Sequence, residues 1–147
     1  MQKWIERVCA SFVLMTSLSF AMSASAQQDD KDVCFESSGQ EAIEACTRRI
    51  SQATGNTLAV VYHSRGYEYM MLRQFDLAIA DFTQSIRINP SYMNPYINRC
   101  NCYRGKGEFA NAAADANSAL RINNNPTVAP IARSCLEAAQ QRKTYPD

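Results

Sequence analysis

The chain has 147 residues, a formal net charge of +1, one histidine, six cysteines and five glycines. That length suits a single domain, and the near-neutral balance removes the electrostatic case for nucleic acid or an anionic membrane as partner, since both demand a concentrated basic surface. One histidine forms no cluster of histidine metal ligands, and the few glycines include no phosphate-cradling loop.

In chain order, Lys3 and Arg7 precede an apolar run from Val8 to Met22, and Ala24-Ser25-Ala26 then offers a small-x-small cleavage pattern. Residues 1–26 therefore read as a signal peptide, which places the rest of the chain in the periplasm or outside the cell. The run contains Thr16, Ser17 and Ser19 and falls short of the roughly 20 apolar residues of a membrane span, so no stable insertion is expected after cleavage. Setting aside Lys3, Arg7 and Glu6 takes two from the 15 basic and one from the 14 acidic residues, leaving a neutral remainder. Residues 27–38 form a polar leader. The next segment, 39–53, reads as one helix, with Ala42-Ile43 and Ala45-Cys46-Thr47 on its pattern.

Beyond it the chain repeats with a shift of 34. Tyr62 meets Tyr96, Arg65 meets Arg99, Tyr69 meets Tyr103, Phe75 meets Phe109, Ala78 meets Ala112, Ala80 meets Ala114 and Asp81 meets Asp115. Arg87-Ile88-Asn89 likewise meets Arg121-Ile122-Asn123. The units are 59–92 and 93–126. Within the first, Val61, Arg65, Tyr69 and Leu72 recur at helical spacing, as do Ala78, Phe82, Ser85 and Ile86, so each half carries one stripe to be buried. Pro90 ends the second half, because proline disfavours helix in the residue before it. The 39–53 helix matches the second half at an offset of 36, which implies a longer first turn around Ala53 to Thr57. Residues 127–142 read as a capping helix, with Thr127 as its N-cap, and 143–147 as a tail.

This pattern resembles the tetratricopeptide repeat. Tyr62, Gly66, Tyr69, Phe75, Ala78, Phe82 and Pro90 stand where its signature residues stand. The second unit keeps Tyr96, Tyr103, Gly107, Phe109, Ala112 and Ala119, and departs at Cys100 for the small glycine, Ala116 for the aromatic and Asn124 for the proline. The resemblance implies an all-α fold: a short solenoid of antiparallel helix pairs with single helices at both ends.

It also implies a groove lined by the first helix of each hairpin, here His63, Tyr67, Met70, Asn94, Asn98, Asn101 and Arg104. Side-chain amides suit a peptide backbone, and Tyr67 and Met70 supply apolar contact. A carboxylate clamp of the family's kind is not expected, because Val60, His63, Val128 and Ala132 occupy the places of its basic residues.

Five cysteines follow residue 26, and an exported domain meets oxidising conditions in which they pair. Cys34 precedes the first helix and Cys46 sits on its inner face. A bridge between them would pin the leader, at a gain of roughly 3 kcal/mol in the chain-entropy account. A leader cysteine before an Ala-Ile-x-x-Cys-Thr helix also resembles small exported tetratricopeptide proteins of alphaproteobacteria. Cys100 and Cys102 lie on opposite sides of one helix. The family's packing turns Cys100 toward its hairpin partner and Cys102 toward the last helix, which implies a Cys102–Cys135 pair. Asp76, Asp81 and Asp115 read as solvated helix faces.

The sequence thus points to an exported bacterial interaction module that binds a peptide or partner helix, with no catalytic role and no cofactor or metal. A competing expectation is a structural or stress-associated envelope protein with redox-sensitive thiols that self-associates as a homo-oligomer.

Overall fold

A computed structural model of the chain describes residues 33–123, 125 and 129–142. The expected signal peptide at 1–26, the expected leader up to residue 32, the expected N-cap Thr127 with its neighbours 126 and 128, residue 124 and the tail 143–147 lie outside the described residues. After a helical turn at 33–36 come α1 (Gly39–Ile50), α2 (Gly55–Met71), α3 (Phe75–Ile88), α4 (Met93–Gly105), α5 (Phe109–Ile122) and α6 (Ala129–Gln140). Each helix packs on the next, and α2, α4 and α6 also meet side by side. The fold is therefore a solenoid of hairpins with α2, α4 and α6 as one layer and α1, α3 and α5 as the other.

The first inter-helix connection is not lengthened as the offset of 36 implied. It is the short stretch 51–54, and α2 begins at Gly55, so the additional residues extend the helix itself. Leu72 also leaves the expected stripe: it caps α2 and is 46% exposed.

The repeated residues have repeated work. The Arg65 guanidinium donates two hydrogen bonds to the Asp81 carboxylate, at 2.7 and 2.8 Å, and a third to Thr47 Oγ1. One unit later Arg99 donates to both oxygens of Asp115 and to Thr83 Oγ1. Each arginine thereby joins its hairpin partner to the helix before it. Asp81 and Asp115 are consequently 5% exposed and not solvated, which corrects their reading from sequence; among the three, only Asp76 stands in solvent. Asn89 and Asn123 accept hydrogen bonds from the backbone N–H of Ser91 and Asn125, the same side-chain turn after each second helix. The helix ends match too. Arg73 and Gly107 both sit at positive φ and close the same pair of backbone hydrogen bonds beyond α2 and α4.

Close helix approach depends on absent side chains. A Cβ at Gly66 would lie 3.0 Å from the fully buried Phe82 ring, and one at Gly105 would lie 2.5 Å from Phe75. Gly105→Ala is expected to destabilise the chain by about 1–3 kcal/mol, because the overpacking exceeds the roughly 1 kcal/mol that alanine gains in helix propensity. A denaturant titration showing equal or greater stability for the variant would contradict this packing.

Disulfides join Cys34 to Cys46 and Cys100 to Cys135. The second corrects the expected Cys102–Cys135 pair. Cys100 and Cys102 do point to opposite sides, but Cys102 faces back onto Met70, Ala78 and Phe82 of the preceding unit. Cys100 lies among Ala112 and Ala116 of α5, where α6 brings Cys135 and Ala139. The free Cys102 thiol is buried, and loss of hydration pushes its pKa up to about 12, so it remains protonated and unreactive.

Candidate functional site

His63 sits midway along α2, the first helix of the α2, α4, α6 layer. Its Nδ1 lies 3.1 Å from the Tyr92 hydroxyl and its Nε2 lies 3.0 Å from Asn98 Nδ2. With the Asn98 amide donating to Nε2, the ring is neutral and its Nδ1–H donates to Tyr92. The rings of Phe82 and Tyr92 flank it at 5.8 and 5.1 Å. Burial among these groups holds the His63 pKa down at about 4, against an ordinary value of 6.5.

The sign of the resulting pH dependence follows. Below pH 6.5 the unfolded chain takes up a proton that the folded chain refuses until about pH 4, so His63 removes stability progressively across that window. The loss is at most about 3 kcal/mol, from a depression worth 1.36 kcal/mol per pH unit. His63→Gln should flatten the stability profile between pH 6.5 and 4 relative to wild type. Parallel profiles in urea titrations would show that His63 protonates freely in the folded state.

Around this ring the structure forms a hollow of about 300 Å³, lined by His63, Tyr67, Asn94, Ile97, Asn98 and Ile131. Four of the seven residues assigned to the groove from sequence thus meet in one place: His63 and Tyr67 from α2, Asn94 and Asn98 from α4. Asn101 and Arg104 lie further along α4, where Arg104 Nη1 donates to Asn101 Oδ1 at 3.1 Å. Met70 does not belong there. It is 4% exposed and fills the core between the hairpins with Phe82 and Cys102, because its position on α2 turns inward.

A second hollow of about 280 Å³ shares His63 and Tyr67 with the first and adds Ser64, Glu68, Cys34, Phe35 and Ser37. Phe35, Tyr92 and Ile131 were missed from sequence. Tyr92 and Ile131 stand next to helix starts, outside the periodic stripes, while Phe35 lies in the leader; its apolar character beside Cys34 was the one available sign. Charge is scarce in both hollows. Glu68 Oε2 accepts a hydrogen bond from the Gly39 N–H at 2.7 Å, capping the start of α1. Val60 is exposed and Ala132 is buried where basic clamp residues would stand.

His63 has both ring nitrogens engaged, and no three His, Cys, Asp or Glu side chains among the described residues gather as metal ligands would. No helix of the described residues is long and apolar enough to cross a membrane. The arrangement offers hydrogen-bonding amides, a hydroxyl and apolar surface, and these are the means of holding a polypeptide.

Residues 59–92 match the family model of the tetratricopeptide repeat. The chain is similar to mouse (Mus musculus) DnaJ homolog subfamily C member 7, 29% identical over 98 residues, which is 65% of this chain and 20% of that protein. It is also similar to the corresponding homolog of Schizosaccharomyces pombe, 42% identical over 50 residues, covering 34% of this chain and 10% of that one. The chain therefore spans a fifth or less of these eukaryotic relatives. Among solved structures, the TPR2B domain in the TPR2B-domain:pHsp70 complex of yeast Sti1 superimposes with a TM-score of 0.70 at 24% identity, covering 82% of this chain and 97% of that one. At that identity the likeness is one of fold.

Proposed function

We propose that the chain is a protein-interaction module that holds an extended peptide or a partner helix in the groove of α2, α4 and α6. The observation that carries this reading is the hollow in which Asn94, Asn98, His63 and Tyr67 converge beside Ile97 and Ile131. Such a set suits recognition of a peptide backbone with intermittent apolar side chains. The fold agrees with it, since the Sti1 domain of the same architecture is described in complex with pHsp70. We further propose that the module is exported behind the segment 1–26 to a periplasmic or extracellular site; the two disulfides support an oxidising compartment.

The test is a pull-down from envelope extract using wild type and a Tyr67→Ala, Asn98→Ala double variant as baits. Partners recovered by wild type and lost by the variant are expected. If both baits recover the same proteins, the groove is not the binding surface.

A further inference from the structure

The two hollows on this face share His63 and Tyr67, so the groove does not end at α2. It continues until it meets the helical turn at 33–36, which belongs to the leader and not to any repeat. That turn is too short to persist as an isolated helix. It is fixed from two sides instead. The Cys34–Cys46 disulfide seats it on α1, with Cys34 3% exposed against Cys46 and Val61. Just beyond it, Glu68 of α2 anchors the chain at the Gly39 N–H.

The consequence is a wall with an unusual side chain. Phe35 is 40% exposed, and it and Tyr67, 41% exposed, line the same hollow of about 280 Å³ together with Ser64. Two large rings left half in water on a face that already carries hydrogen-bonding amides mark a place for an apolar side chain. The charge of the site points the same way. His63 is neutral and hydrogen-bonded at both nitrogens, and Glu68, the one carboxylate in the lining, turns its Oε2 to the Gly39 N–H at the start of α1, where the helix N-terminus offsets part of its charge.

We infer that the disulfide-held leader turn completes the groove with an anchor subsite between Phe35 and Tyr67, which takes an aromatic or branched aliphatic side chain of an extended, uncharged peptide segment. This rests on the proposed groove and adds what the groove selects. It also makes selection depend on one disulfide: breaking Cys34–Cys46 releases Phe35 from the wall while α4 keeps its amides in place.

The experiment is selection of a phage-displayed library of random heptapeptides on the oxidised chain, followed by affinity measurements with the synthetic consensus peptide. Baits are wild type, Phe35→Ala, Cys34→Ala with Cys46→Ala, and Tyr67→Ala with Asn98→Ala. Circular dichroism at the assay temperature selects conditions in which each is folded, and the exposed position of Phe35 keeps its variant informative if the cysteine variant is lost. Wild type should enrich uncharged sequences with an apolar residue at one fixed position. Phe35→Ala should weaken the consensus peptide by about tenfold, as truncating an aromatic anchor does, and relax that position. The cysteine variant should behave likewise. A consensus peptide that loses affinity with Tyr67→Ala and Asn98→Ala but is indifferent to Phe35→Ala overturns the leader subsite and leaves the groove standing. Indifference to all the variants overturns both, and enrichment of charged sequences overturns the stated ligand chemistry.

Discussion

Replacing Cys100 and Cys135 by alanine should lower the stability of the chain by about 4 kcal/mol, since the bond closes a loop with a sequence separation of 35. The Cys34–Cys46 bond, with a separation of 12, contributes about 3 kcal/mol on the same basis. In a domain of this size about 4 kcal/mol corresponds to a fall in Tm on the order of 15 °C. The chain needs this support, because arrays of this kind become comfortable only at about three units. Thermal melts followed by circular dichroism, with and without reductant, measure the effect, and an unchanged melting curve would remove the structural role of both bonds. Assignment of the second bond needs variants, because Cys100 and Cys102 fall in one tryptic peptide between Arg99 and Arg104. Cys102→Ala should retain the link to Cys135, whereas Cys100→Ala should leave Cys135 open to alkylation.

Asp115→Ala is expected to cost about 3–5 kcal/mol, the range for removing one partner of a buried ion pair. The Arg99 side chain is only 15% exposed, and the substitution strands its guanidinium after removing both Asp115 acceptors. The effect should spread beyond the hairpin, because the same guanidinium holds Thr83 of the preceding helix. Asp81→Ala should act alike through Arg65 and Thr47. Replacing Arg99 and Asp115 together by leucine should recover much of the loss, since two apolar groups leave no buried charge unpaired. Urea titrations of the single and double variants form the cycle. A single-variant cost below about 1 kcal/mol, the level of an exposed pair, would contradict the burial described here.

The period of 34 made the helices legible, because a repeated stripe has to be buried against its neighbour wherever it recurs. It did not reveal which charged residues are interior. Asp81 and Asp115 look like ordinary surface carboxylates when each helix is read alone, yet both repeat in register with Arg65 and Arg99, and that joint recurrence was the sign of a paired, buried site. The cysteines teach something similar. Gly66 leaves room for Phe82 in the first unit; in the second, Cys100 stands for the glycine and Ala116 for the ring. The two departures compensate, and the space the ring gives up lies where Cys135 reaches Cys100. Read separately they look like weaker matches to the family pattern. Within the groove, the resemblance to the tetratricopeptide repeat singled out His63, Tyr67, Asn94 and Asn98, but it did not separate the inward Met70 from the open face. Phe35 was beyond such reasoning altogether, since a disulfide and not a repeat fixes its place.

Hydrogen exchange of backbone amides with and without the selected peptide tests the central claim most directly. Peptide-dependent protection is expected in α2 around Tyr67 and in α4 around Asn94 to Asn98, extending to the leader turn at 33–36, with α3 and α5 unchanged. Protection confined to α3 and α5 would place the partner on the opposite layer and contradict the groove as the functional surface.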